Sequence, residues 1–166
     1  MNVCQEETYR KLFFEIGDQL RNFLVYKCKN IQLAEDLVQD AFHTLWVNCK
    51  KVTPDKAKSY VFTIGNNLFL NTIKKRKVED KYQVVMSNPL VEKETPEDTF
   101  LENEFQKILL DAIWNLPEND RLVFMLNRIE KKKYREIAED LNISIKTVEK
   151  RMHNALLQLR KVHPKV

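Results

Sequence analysis

Apolar side chains recur at helical spacing along three segments of the first 80 residues. These segments carry Tyr9, Leu12, Phe13, Ile16, Leu20, Phe23 and Leu24; Ile31, Ala34, Leu37, Val38, Ala41, Leu45 and Trp46; and Tyr60, Val61, Ile64, Leu68 and Ile73. An apolar stripe of this period is typical of a helix that buries one face, so three helices are predicted to share one core. The chain has only 2 glycines, which leaves little turn chemistry for hairpins and favours an all-α fold.

The helical pattern fails between about residues 79 and 99 and then returns. That stretch contains two prolines and an acidic cluster but few apolar anchors, so a mobile linker is predicted there. Periodicity resumes at Leu101 and predicts four further helices. We therefore predict two small helical domains, 1–80 and 105–166, joined by a flexible acidic linker at 81–104.

The stretch from Cys49 to Lys58 is polar and contains Pro54. Proline lacks a backbone N–H and breaks the interior of a helix. A loop is therefore predicted between the second and third helices.

The 3 cysteines are far apart and odd in number. Cys4, Cys28 and Cys49 therefore argue against a disulfide framework and against a CxxC metal or redox pair, and free thiols are expected. The histidines form no ligand spacing with one another or with the cysteines, so no metal site is predicted.

The strongest local pattern lies in residues 134–151 and predicts a helix-turn-helix. Ala138 is small where two helices must cross, Asn142 tolerates the left-handed conformation that ends a helix, and Ser144 is a natural N-cap for a helix beginning near Ile145. A short turn of this kind lets the second helix enter the major groove of DNA. The alternative is a helical hairpin with a charged face.

The outward residues of that second helix are the predicted DNA readers. Thr147 and Arg151 suit phosphate contacts, whereas Glu149 can accept from cytosine and Lys150 can donate to guanine. The full predicted set is Lys146, Thr147, Glu149, Lys150, Arg151 and His153. The formal net charge of +4 alone is too small to prove a nucleic-acid partner.

An acidic, hydrogen-bonding stripe is predicted on the outer face of the second helix. Asp36, Gln39 and Asp40 point outward when the apolar residues point inward. Such a stripe suits docking to a basic or polar helical partner. Two alternatives remain open: a solvated face, and a metal-dependent nuclease site that uses Glu35 with the two aspartates.

The third helix has the composition of a single-strand reader, with aromatic rings, amides and a basic end. The candidates for contact with unpaired bases and phosphates are Tyr60, Asn66, Asn67, Asn71, Lys74, Lys75 and Arg76. The rings of Phe62 and Phe69 are equally well explained as core residues.

Taken together, the segments AEDLVQDAF, KSYVFTIGNNLFLNTIKKRK, LPENDRLVF and YREIAEDLNISIKTVEKR resemble the small bacterial sigma factors of the extracytoplasmic-function (ECF) group. The resemblance implies a promoter-specificity subunit of RNA polymerase. Asp36, Gln39 and Asp40 then bind the coiled coil of the polymerase beta-prime subunit, and the beta subunit is a further partner. Residues 50–58 shape a pocket for a base flipped from the minus-10 element, which Asn67 faces.

In the same resemblance, Lys74, Lys75 and Arg76 hold the backbone of the melted promoter, and the helix beginning near Ile145 reads the minus-35 element. No cofactor and no catalytic step are implied, and an anti-sigma factor is an expected partner. The start of the chain resembles no basic and apolar leader, and no apolar run is long enough to span a membrane, so a cytoplasmic location is expected.

Four positions depart from the pattern of many relatives: Gly65, Asn66, Lys133 and Glu149. The target promoter therefore cannot be transferred from them. The alternative function from another class is a stand-alone helix-turn-helix regulator that never joins polymerase.

Overall fold

The computed structural model describes the backbone of residues 2–80 and 100–162 and the side chains of residues 2–76 and 106–162. Every regular element in these ranges is helical, which confirms the predicted all-α class. The helices are α1 (Glu6–Cys28), α2 (Ile31–Val47), α3 (Pro54–Asp80), α4 (Phe100–Trp114), α5 (Glu118–Arg128), α6 (Tyr134–Leu141) and α7 (Ile145–Val162), with a 3-10 turn at Cys49–Lys51. Most of the predicted acidic linker lies outside the described residues.

Helices α1, α2 and α3 pack against one another as a three-helix unit, as predicted. Leu20, Leu24, Leu45 and Val61 are fully buried between them. Gly65 of α3 lies where that helix crosses α1, and a Cβ there would stand 3.1 Å from a methyl carbon of Leu20. Close helix approach therefore accounts for a residue that costs about 1 kcal/mol of helix propensity relative to alanine.

The second unit is built around α7, which contacts α4, α5 and α6. Its turn has the predicted local chemistry, since Asn142 adopts the left-handed conformation with φ 51°. The Ser144 hydroxyl accepts from the Thr147 N–H at 3.1 Å and caps α7. At the start of α6, where Lys133 replaces a capping hydroxyl residue, the Glu136 carboxylate accepts from the Lys133 N–H at 2.7 Å. The helix-turn-helix prediction is confirmed.

The prediction of a loop from Cys49 to Lys58 is wrong for most of those residues. Residues Cys49–Lys51 form the 3-10 turn, and α3 already begins at Pro54. The physical reason is that proline fits the first turn of a helix, where its missing N–H would have no intrahelical partner. A carboxylate in the first turn, Asp55, complements the positive end of the helix dipole.

The expectation of three free thiols is also wrong. Cys4 and Cys49 form a disulfide, with their Cα atoms 5.0 Å apart. Helices α1 and α2 run antiparallel, so the start of α1 lies beside the end of α2, and the hydroxyl of Tyr9 donates to the Phe42 carbonyl at 2.9 Å. This packing brings together two cysteines separated by 45 residues, which no local spacing rule detects. Cys28 is a free cysteine, as predicted.

The two units touch through α1 and α5, and the buried Arg121 of α5 lies at the junction. Its guanidinium donates to the carbonyls of Tyr26 at 2.7 Å and Lys27 at 3.1 Å, at the end of α1. It also donates to the carbonyls of Trp114 at 3.1 Å and Leu116 at 2.7 Å. One side chain therefore satisfies carbonyls from both units.

Polar contacts surround this junction. The Lys27 ammonium pairs with the Glu118 carboxylate at 2.9 Å. The Glu130 carboxylate accepts a hydrogen bond from the Tyr26 hydroxyl at 2.8 Å. Burial is the main reason why the pKa of that hydroxyl is raised, and the contact with Glu130 raises it further. Both contacts join α1 to the second unit.

Candidate nucleic-acid and polymerase interfaces

The outer face of α7 is charged and exposed, while its inner face is buried. Val148, Met152 and Leu159 have at most 2% of their surface exposed. Among the predicted minus-35 readers, Lys146, Glu149, Lys150 and His153 are exposed. The helix therefore presents a polar ridge held rigidly by its apolar side.

Two of the predicted minus-35 readers are half-buried at the border of that ridge. The Thr147 hydroxyl lies 2.8 Å from the Ser144 hydroxyl and belongs to the cap of α7. Arg151 faces the buried Asp120 of α5; burial raises the pKa of that carboxyl, and the positive charge of Arg151 opposes the rise. These two side chains therefore have interactions within the second unit.

Some of the predicted minus-10 readers on α3 are exposed, and one is hydrogen-bonded within the fold. Asn67, Asn71, Lys74, Lys75 and Arg76 are exposed, and Tyr60 is half-buried. Asn66 instead accepts a hydrogen bond from the Lys27 ammonium at 2.7 Å through its side-chain carbonyl. Adjacent asparagines on one helix thus have different surroundings.

The aromatic rings Phe62 and Phe69 belong to the core, with 7% and 2% of their surface exposed. Phe62 packs against Phe23 of α1 with ring centroids 5.2 Å apart. The Lys27 ammonium lies 5.2 Å from the centroid of Phe69, a cation-π distance. The core interpretation of these two rings is confirmed, and the half-buried Tyr60 also packs against the core.

A cleft of about 510 Å³ lies between α3 and the helix-turn-helix. Ser59, Thr63 and Asn66 line one side, and Asn142 and Arg151 line the other. Sequence reasoning missed this cleft, because its walls come from positions some 80 residues apart that only the packing of the two units brings together. Candidate residues of α3 and α7 therefore face one cleft.

The acidic stripe on α2 is exposed as predicted: Asp36, Gln39 and Asp40 point away from the core. Glu35, the third carboxylate of the nuclease alternative, forms an ion pair with Arg21 at 3.1 Å. Within the part of the chain that the structure describes, no three histidine, cysteine, aspartate or glutamate side chains gather into a group that could hold a metal ion.

An apolar groove of about 400 Å³ runs beside the stripe and was missed by sequence reasoning. Phe14, Gly17 and Val38 contribute to its walls, and Gln39 lies at its edge. Phe13 was placed in the core by its helical spacing, but 39% of its surface is exposed beside Phe14. Two consecutive phenylalanines cannot both point into one core, which is the signal that periodicity alone overlooked.

Comparison with known families gives two matches in chain order. Residues 12–79 match the family described as Sigma-70 region 2, and residues 106–159 match Sigma-70, region 4. The ECF RNA polymerase sigma factor SigW of Bacillus subtilis is 30% identical over 143 residues, which cover 80% of this chain and 76% of that protein. SigM, another ECF sigma factor of the same organism, is 26% identical over 74% of each chain.

A solved structure shares the fold. The sigma factor RpoE of Bartonella quintana, in complex with the anti-sigma factor NepR, superposes with a TM-score of 0.64. The match covers 93% of this chain and 95% of that chain at 23% identity.

A helical chain that carries region 2 followed by region 4 is a sigma factor of the sigma-70 type. More narrowly, this chain belongs to the ECF group of RNA polymerase sigma factors, and it directs the initiation of transcription by RNA polymerase. The family predicted from the sequence motifs is confirmed.

None of the helices within residues 2–80 and 100–162 combines the length and the apolar character that a membrane span requires.

Proposed function

We propose that this sigma factor binds core polymerase through α2, captures the opened minus-10 strand along α3 and reads the minus-35 duplex with α7. The observation that supports this assignment best is the two-sided character of α7. Its apolar side is buried, so the four exposed polar side chains Lys146, Glu149, Lys150 and His153 are held at fixed spacing. A rigid polar ridge after a tight turn matches the way a recognition helix enters a major groove.

Polymerase docking is assigned to Asp36, Gln39 and Asp40. Two carboxylates and an amide on a helix whose other side is buried suit a basic helical partner, and the coiled coil of the beta-prime subunit is the proposed one. The beta subunit is the proposed second contact of the polymerase with this chain.

Promoter opening is assigned to α3 and the segment before it. The exposed Asn67 and Asn71 offer amide groups for base edges, and Lys74, Lys75 and Arg76 offer cations for phosphates. The flipped-base pocket, first assigned to a loop, is now assigned to the 3-10 turn and the first turn of α3. Capture of an unstacked base offsets part of the few kcal/mol that unpairing costs.

The proposed division of labour follows the predicted domains: residues 1–80 for polymerase and the minus-10 element, 81–104 as linker, and 105–166 for the minus-35 element. This role needs no catalytic step, cofactor or membrane insertion, and it is carried out in the cytoplasm. An anti-sigma factor is the proposed inhibitory partner, in line with the RpoE–NepR complex of Bartonella quintana.

Reconstitution tests the proposal. The full chain is mixed with core polymerase and a library of genomic fragments, and new transcripts are mapped. We expect transcripts that depend on the chain and start at a fixed distance from a shared pair of sequence elements. Tight DNA binding by the chain alone, without co-purification with core polymerase, would favour the stand-alone regulator instead.

A further inference from the structure

The disulfide joins the first turn of the chain to the segment that leads into α3. Cys4 lies just before α1, and Cys49 is the first residue of the 3-10 turn. The Cα separation of 5.0 Å falls within the usual span of protein disulfides, about 4.4 to 6.8 Å. The pairing is therefore produced by the packing of α1 on α2 and needs no movement of either helix.

The two cysteine residues differ in their exposure to solvent. Cys49 is 9% exposed and has the buried Val52 nearby in the chain, whereas Cys4 is half-buried beside the fully buried Val3. A small oxidant dissolved in water therefore reaches Cys4 first. Cys49 is placed to complete the bond from the inner side.

The remaining cysteine has a different environment. The Cys28 thiol donates to the Asn30 carbonyl at 3.0 Å, and burial raises its pKa. Since the thiolate is the reactive form, Cys28 is the less reactive kind of cysteine. It can be removed without touching the pair.

We infer that Cys4 and Cys49 form a reversible oxidative modification site that controls the segment 49–58 and, through it, capture of the minus-10 strand. The effect on promoter opening rests on the function proposed above, as does the cytoplasmic setting in which a disulfide is expected to be reversible, but the pairing of the two cysteines does not. In cytoplasmic proteins disulfides are usually transient and redox-sensing, so a pair at this position points to control of function. The segment is held at Cys49 on one side and by α3 on the other.

The chemistry requires a hydroperoxide as oxidant. The Cys4 thiolate attacks one peroxide oxygen, the O–O bond breaks, and hydroxide leaves as the sulfenic acid forms. The Cys49 thiolate then attacks the Cys4 sulfur, the S–O bond breaks, and a second hydroxide leaves as the S–S bond forms. The protons given up by the two thiols convert the two hydroxides to water. Two thiols lose two electrons and two protons, and hydrogen peroxide takes them up. A dithiol reverses the reaction by thiol–disulfide exchange.

The bond should favour DNA capture because it ties the 3-10 turn that leads into α3 to the residues just before α1. Without the bond, the first turn of the chain and the 3-10 turn lose their covalent connection. The entropy cost of ordering them then lowers the affinity for the strand. The oxidised holoenzyme should therefore open promoters severalfold faster than the reduced one.

The site is tested first in the full chain carrying Cys28→Ser, so that no third thiol interferes. Hydrogen peroxide should consume both remaining thiols and yield a peptide linked through Cys4 and Cys49, and dithiothreitol should restore two thiols. Helical circular dichroism of both forms shows whether each is folded. Peroxide treatment that oxidises the thiols without linking them would overturn the site.

The control function is tested by holoenzyme assembled from the same chain in each redox state. The expected result is a severalfold higher rate of open-complex formation when oxidised, with equal affinity for duplex carrying only the minus-35 element. The Cys4→Ser, Cys28→Ser chain should behave like the reduced form under both conditions. Equal opening rates in the two states would overturn the control function. No transcript in either state would overturn the proposed function, and with it the effect on opening, while the linked peptide would still establish the site.

Discussion

The two helices proposed to read DNA differ in how much of their surface the fold already uses. Helix α7 has a buried apolar side, and Lys146, Glu149, Lys150 and His153 are exposed away from it. Helix α3 is embedded: Phe62 and Phe69 are buried, Gly65 lies against Leu20, and Asn66 is bonded to Lys27. If the two helices read DNA as proposed, α7 already presents its charged residues to solvent, whereas α3 offers a narrower polar strip.

The largest effect is expected from reversing the charge of the docking stripe. The double change Asp36→Lys and Asp40→Lys should abolish association with core polymerase, because both carboxylates are exposed and the proposed partner is basic. Without polymerase, neither α3 nor α7 can act in transcription, but α7 should still bind duplex DNA. Co-purification measures the first effect and a DNA-binding titration the second. Glu7→Lys, a charge reversal on an exposed residue of α1, is the control, and retained polymerase binding by the double variant would refute the docking assignment.

The next effect concerns the junction that brings both helices to one cleft. Arg121→Met keeps much of the side-chain volume but removes a cation that donates to four carbonyls. We expect the free energy of unfolding to fall by about 3 kcal/mol, since buried acceptors lose a charged donor. Urea denaturation measures the loss. Arg128→Met, at an exposed position at the end of the same helix, should change the free energy of unfolding little. A loss in the Arg121 variant no larger than the loss in the Arg128 variant would show that the contacts of Arg121 contribute no stability.

The embedded state of α3 can be tested at its glycine. Gly65→Val places atoms where even a Cβ would stand 3.1 Å from Leu20, so overpacking should lower the free energy of unfolding by about 1 to 3 kcal/mol. Gly17→Val is the matched control, because an added Cβ there meets nothing within 4 Å. Thermal unfolding of both variants measures the difference. A Gly65 variant as stable as the Gly17 variant would contradict close packing at this crossing.

The reading role of α7 can be tested at its exposed carboxylate. Glu149→Ala should relax the preference at one minus-35 base pair by about 1 to 3 kcal/mol, because a carboxylate can accept from the amino group of cytosine. Competition binding against single-base variants of the element measures the preference. Glu139→Ala, an exposed carboxylate on α6, should leave every preference intact. If Glu149→Ala does so as well, this residue is not a reader.

The smallest effect separates the adjacent asparagines of α3. Asn67→Ala should slow promoter opening by roughly fivefold, equivalent to the loss of one hydrogen bond of about 1 kcal/mol. Asn66→Ala should instead act on stability, because Asn66 accepts from Lys27 within the fold. Opening kinetics and urea denaturation of both variants separate the two effects. An Asn66 variant that slows opening without loss of stability would reverse the assignment.

Local signals predicted the parts of the fold that local interactions build. The cap at Ser144 and the left-handed Asn142 act within a few residues, so their side-chain chemistry is visible in the sequence. Pro54 was misread because proline both breaks a helix interior and begins a helix, and only packing decides between the two. The same is true of Phe62 and Phe69, whose ring chemistry suits either a core or a stacked base.

Contacts between distant segments were beyond sequence reasoning. The bond between Cys4 and Cys49 spans 45 residues. The contact from Arg121 to the Tyr26 carbonyl spans 95. The residues around each position carry no signal of the contact, because the local sequence of an arginine or a cysteine does not show whether a distant partner packs against it. The candidate readers were predicted from residue type and helical phase, and only the structure separates exposed residues from those with partners inside the fold.

The burial of the Arg121 guanidinium between the two units has a consequence for the affinity of the protein for promoter DNA. In the proposed function α3 and α7 bind two separate promoter elements, whereas the contacts of Arg121 with the Tyr26 and Lys27 carbonyls hold the two units together. If the two units must separate to reach both elements, the Arg121 guanidinium has to leave the Tyr26 and Lys27 carbonyls first. The observed affinity for a promoter-bound state is then the intrinsic affinity scaled by the fraction of molecules that are open. A substitution that weakens this contact should make the protein less stable and, by enlarging the open fraction, should raise its observed affinity for the promoter.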